Sequence, residues 1–137
     1  MKDCQALLSD RVSLVVGKGE KISCYSERGV KKLYELCEKG ELKGSVVADR
    51  VVGRAAALLM AFGGVKEAYA ATLSARAVEV LKAHGIAFSY GNIVDYIVNR
   101  AGTGECPMES LCKGISDPEE GYCAIGKKLE ELRRSES

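Results

Sequence analysis

The sequence has little excess charge of either sign and no long apolar segment. Its 137 residues include 20 Lys and Arg against 19 Asp and Glu, which leaves a formal net charge of +1. A duplex nucleic-acid binder needs a dense basic surface, so this balance argues against nucleic acid as a partner. The longest apolar segment, residues 55–62, is far shorter than the roughly 18 residues that span a bilayer. We therefore expect neither a nucleic-acid partner nor a membrane partner.

Cysteine pairs with the spacing of a metal or redox motif are also lacking. The six cysteines include no CxxC pair, so neither a zinc ribbon nor a thioredoxin-like motif is indicated. Cys4, Cys24 and Cys37 fall on apolar patterns, where a thiol acts as a small hydrophobic side chain. The remaining three would need the single histidine, His84, to complete a zinc site, and their long, uneven spacings argue against one. These three, all in the last third, are Cys106, Cys112 and Cys123.

The length and the apolar content together predict one compact domain over residues 1–137. Hydrophobic residues make up 47% of the chain, and a typical domain has ~150 residues. A domain of this size buries roughly two-thirds of its unfolded surface, so it needs no disulfide or metal to fold. The first residues show no apolar secretory segment, so we expect a reducing, cytoplasmic location.

Apolar periodicity divides the chain into alternating helices and strands. Residues 53–62 are apolar on nearly all sides, which favours a helix packed against a sheet rather than on the surface. Asp117 as N-cap and Pro118 at the first helical position mark the last helix. Residues 92–100 fit either a strand or a helical turn. In chain order we predict a short helix ending near 10, a hairpin over 12–24, a helix from 26 or 27 to 40, a strand over 46–49, a helix over 53–62, a strand over 65–71, a helix over 74–84, a strand over 86–90 and a helix over 117–133.

This order of elements predicts an α/β architecture. Strands that are separated by single helices need right-handed crossovers into parallel neighbours. The first hairpin is antiparallel, so the expected body is a mixed sheet with that hairpin at one edge and helices on both faces.

The element order resembles the cytidine deaminase-like fold. Three segments, DRVVGRAAALL (49–59), SARA (74–77) and NRAGTGECPME (99–109), are similar to a small uncharacterised prokaryotic family, a domain of unknown function with that fold. The resemblance covers about residues 1–115. It implies a three-layer α/β/α sandwich.

The catalytic zinc of the wider superfamily is not expected here. Active members hold the metal with a His-x-Glu at one helix start and a Pro-Cys-x-x-Cys at the next. In this sequence the first helix start, 49–54, has no histidine or cysteine, and residues 72–76 replace the two thiolates. His84 falls near the far end of the second helix, where the helix dipole favours a histidine. We therefore predict a metal-independent domain.

Two predicted helix starts remain as candidates for a ligand site. In open α/β sheets, ligands lie beyond the carboxyl ends of the strands, where N–H groups of helix starts converge. Asp49 and Ser74 fall at such positions. Gly53 would let an anion approach the backbone, and Arg50 and Arg54 would offer paired donors to a phosphate. In the alternative interpretation Asp49 caps the helix, Gly53 permits tight packing and both arginines are solvated.

A second candidate segment ends in Cys106, Pro107 and Glu109. Pro107 suits the first position of a helix, so Cys106 would be its N-cap, where the helix dipole favours thiolate. Glu109 would bond back to the Cys106 N–H in a capping box or accept a proton from a ligand. The alternative is a capped turn with a buried thiol. Preceding loop residues complete the expected ligand-binding set, namely Asn99, Arg100, Gly102 and Gly104.

Three hypotheses follow from these features. The favoured one is a zinc-independent, deaminase-like domain that binds a nucleotide or related phosphate-bearing small molecule, with no other cofactor. The second is a metal-independent enzyme with Cys106 as nucleophile or redox thiol and with Glu109 and Asp49 as acid–base partners. The third is a homo-oligomeric assembly subunit, because the superfamily is often oligomeric. All but the third require the helix start near Arg54 and the Cys106 segment to share one cleft.

Overall fold

The computed structural model describes residues 2–27, 30–98 and 102–136. Its helices and strands follow the predicted order, and the α/β class is confirmed. The elements are α1 Lys2–Ala6, β1 Leu14–Lys18, β2 Lys21–Tyr25, α2 Lys31–Glu38, β3 Val46–Val52, α3 Arg54–Gly63, β4 Glu67–Ser74, α4 Ala75–Ala83, β5 Ala87–Val94, α5 Pro107–Cys112 and α6 Pro118–Glu136.

The five strands form one mixed sheet in the order β2-β1-β3-β4-β5. Strand β1 pairs antiparallel with β2 and β3, whereas β3, β4 and β5 are parallel. The predicted hairpin therefore lies at one edge, and β5 forms the other. Helices α3 and α4 connect the parallel neighbours, as the crossover rule requires.

Helices lie on both faces of the sheet, but very unequally. Helices α2 to α6 share one apolar core with the strands. On the opposite face, α1 packs through Cys4 against Val15 and Ala48. Helix α3 occupies the centre of the main core, and residues 54–60 of it are all buried. Its small and apolar side chains allow neighbours to approach from every side.

Element boundaries differ from the sequence prediction where contacts outside the local pattern decide them. Helix α1 ends at Ala6 rather than near residue 10, and Ser9 Oγ then accepts the N–H groups of Arg11 and Val12 in a turn. The strand predicted to end at Asp49 continues to Val52, because Val51 and Val52 still pair with β4. Strand β5 continues through residues 92–94, part of the segment whose structure the sequence left open.

The helix predicted from 26 or 27 begins only at Lys31, whereas the end of α3 and the start of α6 agree with the prediction because their signals are local. Gly64 ends α3 in the left-handed region at φ 84°, a conformation that glycine adopts without strain. Asp117 precedes α6, and its Oδ1 accepts the N–H of Glu119 at 3.4 Å. Pro118 is the first residue of that helix, as predicted.

Candidate functional site

A pocket of about 390 Å³ lies where β3, the start of α3 and the start of α5 meet. It combines apolar walls with a few polar groups. Five residues proposed from the sequence line it together: Asp49, Arg50, Gly53, Cys106 and Glu109. The start of α3 and the cysteine-bearing segment therefore face one hollow, as the favoured hypothesis requires. The other lining residues are Ser13, Leu14, Glu27, Val30, Val51, Ala55, Ala56, Ile97 and Met108.

The carboxylate of Glu109 occupies the N-terminus of α3. Its Oε1 accepts the backbone N–H of Arg54 at 2.7 Å, and its Oε2 accepts the N–H of Ile97 at 2.7 Å. The side chain is only 2% exposed. A carboxylate at this end of a helix meets unpaired N–H donors and the positive end of the dipole. The position predicted for a ligand phosphate is thus held by an anion of the protein itself.

Gly53 makes this carboxylate contact possible. It is the N-cap of α3 in an extended conformation, and as a glycine it has no side chain that could cap the helix. A Cβ at this position would lie 3.1 Å from Glu109 Oε1 and 3.0 Å from Ile97 Cγ1. The sequence correctly indicated that glycine lets an anion approach the backbone, but it did not identify the anion as Glu109.

The predicted capping box between Glu109 and Cys106 does not form. Cys106 is the N-cap of α5 without a side-chain hydrogen bond, and Pro107 follows at the first helical position. The Cys106 N–H donates to Ile97 O at 2.8 Å. Glu109 bonds to the start of α3 and not to Cys106. Cys106 is a partly buried thiol in the pocket wall.

Arg54 does not offer its guanidinium to the pocket. The side chain is buried and donates to Ile115 O, Arg76 O and Ser116 Oγ at 2.8 to 3.1 Å. It also forms an ion pair with Glu79 at 3.2 Å. Arg54 therefore joins the start of α3 to the start of α4 and to the segment between α5 and α6. The sequence offered two interpretations of Arg54, as a donor to a bound phosphate and as a solvated side chain. Both are wrong for this buried residue.

Asp49 lies within β3 and lines the pocket, so the alternative interpretation of this residue as a helix cap is wrong. Burial raises the pKa of Asp49 to about 7, although N–H groups of Val51 and Arg50 oppose the shift. The Val51 N–H donates to Asp49 Oδ1 at 3.3 Å. A carboxyl with a pKa near neutrality is present in both protonation states at physiological pH, so it can accept or donate a proton.

Other candidates from the sequence lie away from the pocket or outside the described residues. Ser74 is fully buried, and its Oγ caps α4 by accepting the N–H of Arg76 at 3.1 Å. Gly102 and Gly104 lie in the loop before α5, with nothing within 4 Å of a Cβ at either position, and do not line the pocket. Asn99 and Arg100 fall outside the described residues.

The segment before α5 is held over the helix starts by charged contacts. Glu105 accepts from Arg76 Nη2 at 2.8 Å and from Ser110 Oγ at 2.8 Å. These bonds lower the pKa of Glu105 to about 2. Arg76 also lies over the ring of Tyr96, 5.3 Å from its centroid. This anchoring keeps Ile97 in the pocket wall.

Several lining residues escaped sequence prediction. Ser13, Glu27 and Val30 come from the ends of β1, β2 and α2, where nothing in the local pattern indicates a site. Ile97 and Met108 lie before and after the predicted loop that contains Cys106. Their apolar side chains were the signal that could have identified them as lining residues.

The charged groups of the pocket wall are mainly acidic. Carboxyl groups come from Glu27, Asp49 and Glu109, and among the described lining residues Arg50 is the single cation. Glu27 is exposed and lies 3.7 Å from Lys32. These carboxyl groups favour a ligand that presents hydrogen-bond donors inside the pocket. Arg50 is left as the contact for an anionic group of the ligand.

Two further features of the described residues concern metals and membranes. No three His, Cys, Asp or Glu side chains in 2–27, 30–98 and 102–136 are grouped so that they could hold a metal ion. Within the same residues, every helix is too short or too polar to span a bilayer.

Comparisons with known proteins identify the family. No curated protein matches the chain. Among solved structures, a DUF1893 family protein (TM1506) from Thermotoga maritima is similar, with 30% sequence identity and a TM-score of 0.79. The similarity covers 85% of this chain and 80% of that protein. The profile of the family described as a domain of unknown function (DUF1893) matches residues 4–129. The chain therefore belongs to the DUF1893 family.

Proposed function

We propose that the pocket binds a small molecule of the nucleotide class, with the heterocycle inside and the phosphate at the mouth beside Arg50. The observation that carries the proposal is one concave, largely apolar pocket that contains a carboxyl group with a near-neutral pKa. Pockets of about 300 to 1,000 Å³ with a few convergent polar groups are typical of small-molecule sites. Strongly shifted titratable groups in such pockets favour a functional role.

The apolar side chains suit a planar heterocycle. Leu14 and Val30 come from one side of the pocket, Ala55 and Ala56 from α3, and Met108 from α5. Small alanines allow close approach, and a thioether adapts to the shape of a ring. Deaminase-like architecture, with which the mixed sheet agrees, belongs to the same proposal.

Asp49 would recognise the polar edge of the heterocycle. As a carboxylate it accepts a hydrogen bond from a ring N–H or amino group, and as an acid it donates to a ring nitrogen. Its pKa of about 7 makes both forms available near neutral pH. We therefore expect the affinity for the ligand to change with pH around neutrality. Affinity should rise with pH for a ligand that presents a hydrogen-bond donor to Asp49 and fall with pH for one that presents an acceptor.

Arg50 would contact the phosphate. Glu109 already occupies the start of α3, and Arg54 is committed to other partners, so neither offers an anion site inside the pocket. The exposed Arg50 side chain remains. One charge-assisted hydrogen bond is worth about 1.5 to 3 kcal/mol, so a monophosphate should bind roughly tenfold or more tightly than its nucleoside.

The test is a calorimetric titration with matched series of base, nucleoside and nucleoside monophosphate. Asp49→Asn should weaken binding of all three, because it changes the contact to the ring. Arg50→Ala should abolish the advantage of the monophosphate and leave nucleoside binding unchanged. Arg133→Ala on the exposed side of α6 is the matched control and should have no effect. No saturable binding at millimolar ligand, or binding indifferent to Asp49→Asn and Arg50→Ala, would refute the proposal.

A further inference from the structure

Strand β5 is a sheet edge without the features that normally protect one. It is eight residues long, and its sequence AFSYGNIV contains no charged residue and no proline. Across the whole chain, 28% of residues are charged. Edge strands are usually short, charged, bulged or covered, because their free N–H and C=O groups pair readily with another strand. No strand among the described residues pairs with the outer side of β5.

The opposite edge shows the usual protection. Strand β2 has five residues and begins with Lys21. Lys21 is paired in register with Lys18 of β1, so positive charge lies at this end of the hairpin. Strand β2 therefore presents a lysine side chain to an approaching strand, whereas β5 presents no charged side chain.

Apolar side chains on and after β5 are exposed beyond what a solvent-facing edge needs. Tyr90 is 46% exposed and Ile93 is 48% exposed. Tyr96 and Val98, in the segment that follows, are 39% and 53% exposed. Tyr90 and Ile93 are three positions apart on a regular strand, so exposed apolar side chains flank the open edge on both faces of the sheet.

We propose that β5 is a dimerisation edge, where the β5 of a second copy pairs antiparallel with it and joins the two five-stranded sheets into one. In a two-fold dimer each strand meets its own sequence in reverse. Charges near the middle of the strand would then lie close to their own copies, and like charges destabilise cross-strand pairs. Because β5 carries no charge, a second copy is a partner that it meets without repulsion.

The size of the contact predicts a reversible dimer. Eight residues extend about 26 Å at ~3.3 Å per residue. A contact limited to one strand and its flanking side chains lies near the low end of specific interfaces, which begin at roughly 1,000 Å². We therefore expect a dissociation constant in the micromolar range.

The test is sedimentation equilibrium of the full chain from about 1 µM to 1 mM, a range that brackets micromolar to millimolar dissociation. Tyr90→Lys should raise the dissociation constant at least tenfold, because residue 90 lies at the middle of β5 and the two lysines would lie close to the two-fold axis. Ile93→Lys should also raise it, because a charge would replace an exposed apolar side chain at the contact. Ile22→Lys on β2, a residue of similar exposure (43%), is the matched control and should leave the dimer intact. Thermal melts of the three variants establish that they fold.

Each outcome decides the proposal. A concentration-dependent dimer that the β5 variants weaken and Ile22→Lys does not would support it. A monomer at every concentration would overturn it, even if β5 then pairs with a strand of a different protein. A dimer that persists in folded Tyr90→Lys and Ile93→Lys would also overturn it, because the interface would lie elsewhere.

Discussion

Glu109 connects two segments that are far apart in sequence. One oxygen fixes the first N–H of α3, and the other fixes the backbone of Ile97. The bond to the Arg54 N–H is buried and the bond to the Ile97 N–H is partly buried. A buried N–H left without its partner would cost about 1 to 3 kcal/mol if the carboxylate moved. The carboxylate approaches Gly53 so closely that a side chain at residue 53 would have little room.

Gly53→Ala tests that approach. The added Cβ would lie 3.0 Å from Ile97 Cγ1 and 3.1 Å from Glu109 Oε1, both in packed surroundings. We expect the free energy of unfolding to fall by about 1 to 3 kcal/mol, as overpacking usually costs. Urea unfolding measures it. Gly114→Ala, where a Cβ would have nothing within 4 Å, should change stability by about 0.5 kcal/mol or less. Equal effects of the two substitutions would contradict the close contact.

For single residues, the sequence was a better guide to which residues lie together than to the hydrogen bonds that they form. Gly53, Cys106 and Glu109 were recognisable because caps, glycines and Pro107 leave local signals. The bond from Arg54 N–H to Glu109 spans 55 positions, and no local pattern encodes such a partner. The shifted pKa of Asp49 is equally non-local, because the elements that bury it come from the whole chain.

Arg54 acts at the scale of elements, since its guanidinium joins α3 to α4 and to the segment before α6. Lysine keeps the charge but cannot reproduce a planar set of donors to these partners. Arg54→Lys should therefore lower the free energy of unfolding by about 2 to 4 kcal/mol, in the range of broken buried polar networks. Chemical denaturation measures the loss. Arg11→Lys, at an exposed position before β1, provides the control. A stable Arg54→Lys protein with weakened ligand binding would instead place Arg54 at the site.

The order of elements was predictable because each helix and strand carries its own period. Lengths were not, since a strand continues as long as its neighbours pair with it. Asp49 looks like the end of a strand in sequence, and the pairing with β1 does end there, yet β4 extends the ladder past it to Val52. The uneven coverage of the two sheet faces likewise depends on α6 folding back over α3, where Gly121 lies against Leu58.

For the whole molecule, two carboxyl groups give opposite pH dependences of stability. The pKa of Glu105 is lowered to about 2 by Arg76 and Ser110. It therefore contributes stability above its ordinary pKa of 4.5, which is lost as pH falls toward 2. The pKa of Asp49 is raised from 3.8 to about 7. Between these values the folded state binds more protons than the unfolded state at this site, so stability falls as pH rises from about 4 to 7.

Asp49→Asn isolates the second effect, because asparagine does not titrate. Relative to the wild type, the variant should gain stability as pH rises from 4 to 7 and hold a constant advantage above that. A tenfold change in proton affinity corresponds to about 1.4 kcal/mol, so the gain from pH 4 to pH 8 should be roughly 2 to 4 kcal/mol. Urea unfolding of both proteins across this range measures it. Glu105→Gln is the control of opposite sign, with a deficit that shrinks below pH 4. A difference between wild type and Asp49→Asn that stays constant with pH would mean that burial does not hold the proton on Asp49.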